Sequence, residues 1–227
     1  MYKNIKFSAS IMYIDWMQAL NQIRELELSN IDYLHIDILD GRFAPDFTLG
    51  TSIINSFVQN SSLPLDYHLM VDEPNYLYDT FQINKNTIYT IHQECCKNLH
   101  REIVSIRNKN VGKVGVALSP ATPLEYLEYI IEDIDLILLM TSNPGSTNQD
   151  LIPQTIRKIS DLKNKINKMK LKTLISVDGN VNNKNIPDIV SAGADVLVLG
   201  PDALFKKNTK IRESIETIKK AIDKAIF

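Results

Sequence analysis

Residues 135–168 read DLILLMTSNPGSTNQDLIPQTIRKISDLKNKINK and form one strand, loop and helix in succession. Residues 136–140 are all apolar, which is typical of a parallel strand that helices cover on the outside. Between residues 152 and 166, isoleucines and a leucine recur at the spacing of one helix face, with lysines on the opposite face. This segment therefore predicts an α/β fold with a parallel sheet.

The same alternation of short apolar runs and longer amphipathic segments continues along the whole chain. We predict strands near residues 5–10, 31–38, 64–70, 87–92, 113–118, 135–140, 172–178 and 195–200. We predict helices near residues 15–28, 50–59, 75–83, 97–109, 123–131, 151–168, 183–192 and 210–226. Eight such units in 227 residues predict a single (β/α)8 barrel over residues 1–227. A doubly wound open sheet is the alternative.

The composition argues against several classes of partner. Charged residues make up 23% of the chain and the net charge is -2, so no general affinity for nucleic acid or anionic membrane is expected. The apolar runs are too short to span a bilayer, and the first twenty residues lack the pattern of a secretory signal. The only cysteines, Cys95 and Cys96, are adjacent. We expect them to be thiols, which predicts a reducing, cytoplasmic location.

Histidines and aspartates gather where the predicted strands end. His35 and Asp37 alternate on one face of the second strand, His68 lies near the end of the third, and Asp178 ends the seventh. Each has an ordinary alternative: a histidine that is hydrogen-bonded in the core, or an aspartate in a turn before glycine. Because all four lie at the same end of a predicted barrel, together they indicate a divalent-metal site for zinc, iron(II), cobalt or manganese.

Residues 35–50, HIDILDGRFAPDFTLG, resemble the signature segment of ribulose-phosphate 3-epimerases. The resemblance continues in register from residue 8 to about residue 205. It includes the segments SIMYID at 10–15, DYHLMV at 66–71, GVALSPATP at 115–123, MTSNPG at 140–145, VDG at 177–179 and GADVLVLG at 193–200. This coverage is too extensive for a chance match.

The resemblance implies a (β/α)8 barrel that uses one divalent metal to invert C3 of a ketose phosphate. It implies that His35, Asp37, His68 and Asp178 are the metal ligands and that Asp37 and Asp178 are also the two acid/base groups. Zinc is the metal we expect, with iron, cobalt or manganese as alternatives. The implied reaction converts D-ribulose 5-phosphate to D-xylulose 5-phosphate in the pentose phosphate pathway. Family members commonly form dimers or larger assemblies, so we also expect a homo-oligomer.

The substrate-binding residues follow from the same resemblance and from the loops that would hold the phosphate. Met70 and Met140 are expected to line the cavity near the metal without binding it. His92 and Glu94 match a similar pair in the family, and we interpret them as a hydrogen-bonding pair that either supports the metal ligands from outside or is purely structural. The full predicted set of substrate-binding residues is Ser10, Met70, Met140, Gly145, Ser146, Thr147, Asn148, Gly179, Asn180 and Gly200.

The loops expected to hold the phosphate depart from the family pattern. Residues 144–149 read PGSTNQ where PGFGGQ is usual, Asn180 replaces a second glycine, and Pro201 replaces a serine. Phosphate binding in barrels relies on backbone N–H groups after the last strands, and Pro201 has none. Side chains of Ser146, Thr147 and Asn180 could compensate. Two alternatives therefore stay open: a D-allulose 6-phosphate 3-epimerase, and a non-catalytic paralogue that binds a sugar phosphate.

Overall fold

The computed structural model describes residues 5–48, 50–81, 86–109, 112–145 and 149–226. The strands are β1 Lys6–Ser10, β2 Tyr33–Leu39, β3 Leu65–Met70, β4 Ile88–His92, β5 Lys113–Leu118, β6 Leu136–Met140, β7 Leu174–Asp178 and β8 Val196–Leu199. The α-helices are α1 Ala19–Leu28, α2 Thr51–Asn60, α3 Leu99–Arg107, α4 Gln154–Met169, α5 Ile186–Ala192 and α6 Ile211–Ile226. Short 3-10 turns occupy several of the remaining connections.

The eight strands form one closed parallel barrel in sequence order. Closure comes from the pairing of β1 with β8, in which Phe7 lies opposite Leu197. The predicted (β/α)8 barrel is thus confirmed, and the open-sheet alternative is excluded. In such a barrel the carboxyl ends of all strands meet at one mouth, where the following loops surround a common space.

Strand alternation separates two packing layers. Ile36 and Ile38 of β2 belong to the large apolar layer between the strands and the helices, which also contains Ile23 of α1. The interior layer includes Tyr33, from the same strand, together with residues such as Leu138. Because side chains alternate along a strand, this arrangement directs His35 and Asp37 into the barrel.

Two of the predicted α-helices are wrong. The segment near 75–83 contains a 3-10 turn, Pro74–Leu77, and part of it lies outside the described residues. The segment near 123–131 contains the 3-10 turns Leu124–Leu127 and Ile131–Asp133. Both segments are rich in aromatic and β-branched residues, which lower helix propensity. The turns nevertheless bury apolar side chains, among them Leu77, Leu127 and Ile131.

Two expectations from composition can be compared with the structure. Cys95 and Cys96 are both free thiols, as expected. Within the described ranges, none of the helices has the length and apolar character needed to cross a membrane.

Candidate active site

Four side chains converge inside the mouth of the barrel. His35 and Asp37 come from β2, His68 from β3 and Asp178 from the end of β7. Each contributes one nitrogen or oxygen atom, and these atoms all lie within 4.8 Å of one another. His35, Asp37 and His68 are buried, whereas the side chain of Asp178 is 19% exposed. The sequence-predicted ligand set therefore forms one cluster in space.

The cluster brings two imidazole nitrogens against two carboxylates. Asp37 Oδ1 lies 3.1 Å from His35 Nε2 and 3.0 Å from His68 Nδ1. Asp178 Oδ2 lies 3.7 Å and 3.6 Å from the same two nitrogens. Two imidazoles and two carboxylates form a donor set that suits a divalent cation such as zinc. The residues present therefore fit the metal that the family resemblance implies.

The histidine nitrogens that point away from the cluster are also hydrogen-bonded. His35 Nδ1 lies 2.8 Å from Asp66 Oδ2, which also accepts a hydrogen bond from Ser8 Oγ at 2.7 Å. His68 Nε2 lies 2.9 Å from His92 Nε2. Such outer partners fix the ring orientation of metal-binding histidines. The rings of His35 and His68 are thus held in place from outside the cluster.

The buried charges of the cluster shift the pKa values of His35 and Asp37 in opposite directions. Burial raises the pKa of Asp37, but the charge of His35 and the hydrogen bonds from His35 and His68 outweigh burial and hold that pKa well below its ordinary value. Burial lowers the pKa of His35, but the carboxylates of Asp37 and Asp66 raise it well above its ordinary value. The metal-free cluster therefore retains histidine protons that a bound cation would displace, and binding would release them.

In the His92–Glu94 pair beside the cluster, the pKa of the histidine shifts in the opposite direction to that of His35. Burial lowers the pKa of His92 to about 4, despite its hydrogen bond to Glu94. Burial acts to raise the pKa of Glu94, but the hydrogen bond and charge of His92 lower it to about 2. At neutral pH, His92 is therefore a neutral imidazole and Glu94 a carboxylate. This agrees with our interpretation of these residues as a hydrogen-bonding pair.

A cavity of about 230 Å³ opens directly above the cluster, and both Asp37 and Asp178 line it. Ser10 Oγ donates to Asp37 Oδ2 at 3.0 Å, so this serine contacts a carboxylate as well as the cavity. Ser146, Thr147 and Asn148 lie outside the described residues. The other predicted substrate-binding residues all line the cavity: Ser10, Met70, Met140, Gly145, Gly179, Asn180 and Gly200.

Several cavity residues were missed by the sequence reasoning, notably Tyr13, Asp46 and Asp202. Tyr13 follows β1 and Asp202 follows β8, so their positions just after strand ends were the available signal. Burial raises the pKa of Tyr13 to about 12, and the surrounding carboxylates add to this rise. Tyr13 is therefore a neutral phenol that can donate a hydrogen bond into the cavity.

Asn180 keeps a backbone conformation that glycine favours. Its φ is 48°, and the preceding Gly179 has a φ of 110°. Asparagine tolerates this left-handed region better than most residues. Its side-chain Nδ2 donates to the backbone oxygen of Gln149 at 2.6 Å. The side chain that we expected to compensate as a substrate donor thus has one donor engaged in linking the loops after β6 and β7.

The cavity carries an excess of acidic side chains. Its lining within the described ranges includes four carboxylates, from Asp37, Asp46, Asp178 and Asp202, and neither lysine nor arginine. An anionic substrate group would therefore depend on backbone N–H groups, on neutral side-chain donors and on a bound cation. Pro201 contributes no N–H group to this end of the cavity.

The sequence as a whole matches known proteins. The model of the "Ribulose-phosphate 3 epimerase family" matches residues 6–205. A ribulose-phosphate 3-epimerase of Bacillus subtilis is 40% identical over 197 residues, covering 86% of this chain and 90% of that protein. A ribulose-phosphate 3-epimerase of Helicobacter pylori is 33% identical over 219 residues, covering 96% of this chain and 100% of that protein.

Solved structures of lower identity share the fold. 3-Hexulose-6-phosphate synthase from Salmonella typhimurium has a TM-score of 0.61 at 15% identity, with 97% of this chain and 100% of that chain covered. Thiamine phosphate pyrophosphorylase from Pyrococcus furiosus has a TM-score of 0.60 at 12% identity, with 100% and 98% covered. At these identities the likeness supports the barrel architecture alone.

Proposed function

Because this chain belongs to the ribulose-phosphate 3-epimerase family, we propose that it converts D-ribulose 5-phosphate to D-xylulose 5-phosphate with the aid of one divalent metal. The chain is a carbohydrate epimerase that acts on a ketose phosphate. The observation that supports a metal-dependent reaction is the convergence of His35, Asp37, His68 and Asp178 beneath the cavity. We keep the homo-oligomer and the cytoplasmic location as predictions.

The chemistry calls for two acid/base groups. Epimerisation at C3 removes the proton next to the ketone and returns a proton on the opposite face of the carbon. A single base on one face would replace the proton it had removed. In our proposal Asp37 and Asp178 serve the two faces, one as general base and the other as general acid. They reach the cavity from β2 and β7, which lie three places apart around the ring.

The residues around the two carboxylates prepare them for this task. Ser10 donates to Asp37 Oδ2 at 3.0 Å and so orients the carboxylate towards the cavity. Asp178 is the more exposed of the two, with 19% of its side chain accessible against 7% for Asp37. Met70 and Met140 line the same cavity with apolar surface. They would exclude water from the carbon that loses its proton.

The four converging residues would hold the metal, for which we propose zinc, with iron, cobalt or manganese as alternatives. When bound, the cation supplies charge stabilisation for the ene-diolate that forms after proton removal. His35 Nε2 and His68 Nδ1 are the nitrogens that face the carboxylates, so these two atoms would be the imidazole ligands.

The cavity residues after β8 are a reason to consider a second candidate substrate, D-allulose 6-phosphate. The same inversion at C3 would occur in a sugar that is one carbon longer. Pro201 and Asp202 stand after β8 and line the cavity, so this end differs from one built on glycine and serine N–H groups. A shifted phosphate position would suit a longer substrate. We place the pentulose phosphate first because the family relatives carry its name.

We expect the purified, zinc-supplied enzyme to prefer D-ribulose 5-phosphate over D-allulose 6-phosphate in kcat/KM. The expected ratio is about 10- to 200-fold, which is the range for one extra methylene in an apolar pocket and which we take over for the one hydroxymethylene group by which the sugars differ. Coupled assays on both sugars measure it, with unphosphorylated D-ribulose as the control for the contribution of the phosphate. A preference for the hexulose phosphate would move the assignment to the second candidate. No turnover and no C3 proton exchange with either sugar phosphate would favour a non-catalytic binding protein.

A further inference from the structure

A chain of hydrogen bonds leads from the metal cluster to the loop after β5. His68 Nε2 lies 2.9 Å from His92 Nε2, and His92 Nδ1 lies 3.0 Å from Glu94 Oε2. Glu94 Oε1 in turn accepts from the backbone N–H of Ser119 at 2.7 Å and from the hydroxyl of Thr122. Glu94 itself lies outside the cluster, so its influence would pass through His92 and His68.

The direction of every hydrogen bond in this series follows from the last one, in which the backbone N–H of Ser119 donates to Glu94. A backbone N–H can only donate, and an ionised carboxylate can only accept. His92 must therefore carry its proton on Nδ1, where it meets Glu94. Its Nε2 then holds a lone pair and accepts from the Nε2–H of His68. The remaining nitrogen of His68, Nδ1, faces Asp37 and Asp178, and its proton is the one that a metal would displace.

We propose that Glu94 and His92 are positioning residues that set the tautomer of His68 and so determine how tightly the cluster binds its metal. The inference rests on the proposed metal-dependent function. Asp66 performs the corresponding task for His35 in a single step, since it accepts directly from His35 Nδ1. The His68 side differs because a second imidazole stands between the ligand and the carboxylate.

Packing keeps the chain of hydrogen bonds in place. His68 and His92 are fully buried, and their rings lie within 24° of parallel with centroids 5.0 Å apart. Phe43 packs against the ring of His92, with the two ring centroids 4.6 Å apart. Lys158 from α4 donates to the carbonyl of Ser119 at 2.8 Å and holds the loop that carries the terminal donor. The backbone donor that fixes the direction of these hydrogen bonds therefore lies on a loop that is itself held in place.

Glu94→Gln tests the proposal with a nearly isosteric change. The Ser119 N–H requires an oxygen as its partner, so the new amide oxygen stays there and the new NH2 group faces His92 Nδ1. His92 must then accept at Nδ1 and carry its proton on Nε2, towards His68. His68 Nε2 must then accept, so the only proton left on His68 is the one on Nδ1, where the metal would bind. We expect zinc affinity, measured by competition with a chromophoric chelator, to fall about 10- to 100-fold.

The tautomer of His92 provides a readout that a purely structural role would not change. The chain has four histidines, so nitrogen NMR of histidine-labelled, metal-free protein can assign them. We expect the His92 proton on Nδ1 in the parent protein and on Nε2 in Glu94→Gln. Glu125→Gln is the matched control, because Glu125 is exposed on the turn after the same loop. It should change neither the tautomer nor the zinc affinity.

Each result supports or overturns the inference. Zinc affinity in Glu94→Gln equal to that of Glu125→Gln would overturn it, and so would weakened affinity with an unchanged His92 tautomer. His92→Phe is the second variant, because it keeps a ring against Phe43 but removes the acceptor; it should also weaken zinc binding. Zinc binding and turnover of D-ribulose 5-phosphate by the parent enzyme are measured separately. A failure of the proposed function is thus distinguishable from a failure of this inference.

Discussion

Asp37→Asn is expected to lower kcat/KM for D-ribulose 5-phosphate by about four decades or more, while the barrel stays folded. Positioned general acid–base catalysis contributes about 10²- to 10⁴-fold, and one electrostatic stabiliser of the transition state about 10²- to 10³-fold. The substitution removes both contributions, because an amide is neither a base nor an anionic ligand. It also places a neutral group against two imidazole nitrogens, His35 Nε2 and His68 Nδ1. Steady-state kinetics of the zinc-supplied variant measures the loss.

Asp178→Asn is expected to lower kcat/KM for D-ribulose 5-phosphate by a similar factor. Asp223→Asn is the control, since Asp223 is exposed on α6 and carries the same chemical change far from the cavity. Circular dichroism verifies that all three variants are folded. Near-normal turnover by either Asp37→Asn or Asp178→Asn would remove that residue from the proposed pair of acid/base groups.

Removal of the metal is expected to have an effect as large as that of either substitution. Dialysis against a strong chelator should bring turnover to the assay background, and zinc should restore it. Cobalt or manganese should restore activity better than magnesium, because magnesium prefers oxygen ligands to imidazole. Binding to the folded state also raises its stability by about 2.7 kcal/mol when the free metal is at 100 times its Kd. The thermal midpoint should therefore fall on chelation and recover with the metal.

The decisive observation for this prediction pairs activity with elemental analysis. A chelated sample that retains full turnover without stoichiometric metal would show that the reaction needs no metal and that the cluster serves only in proton transfer. A sample that loses activity but recovers it only with the unrelated cation magnesium would contradict the imidazole-rich ligand set. Enzyme that was carried through the same dialysis without chelator serves as the control.

The sequence allowed the inner architecture to be predicted because strand patterns are local. The alternation in β2 placed His35 and Asp37 on one face, and the barrel topology carried that face to the interior. The segments near 75–83 and 123–131 were harder, because an amphipathic pattern does not distinguish a longer α-helix from single 3-10 turns.

Contacts between strands were less accessible to sequence reasoning. His68 lies opposite Thr90 in the β3–β4 register, and this register places His92 just beyond, against the ring of His68. Strand stagger in a barrel is a property of the closed sheet and is not encoded in one strand alone. Tyr13 and Asp202 were missed for a related reason, since their place in the cavity depends on how two short loops turn after β1 and β8.

Conversion of D-ribulose 5-phosphate in deuterium oxide under single-turnover conditions tests the pair of acid/base groups most directly. If one carboxylate removes the C3 proton and the other returns a solvent-derived one, the D-xylulose 5-phosphate formed in the first turnover should carry deuterium at C3. Product that retains the original protium at C3 would mean that one group carries the proton between both faces, and the assignment of Asp37 and Asp178 as two separate acid/base groups would be wrong.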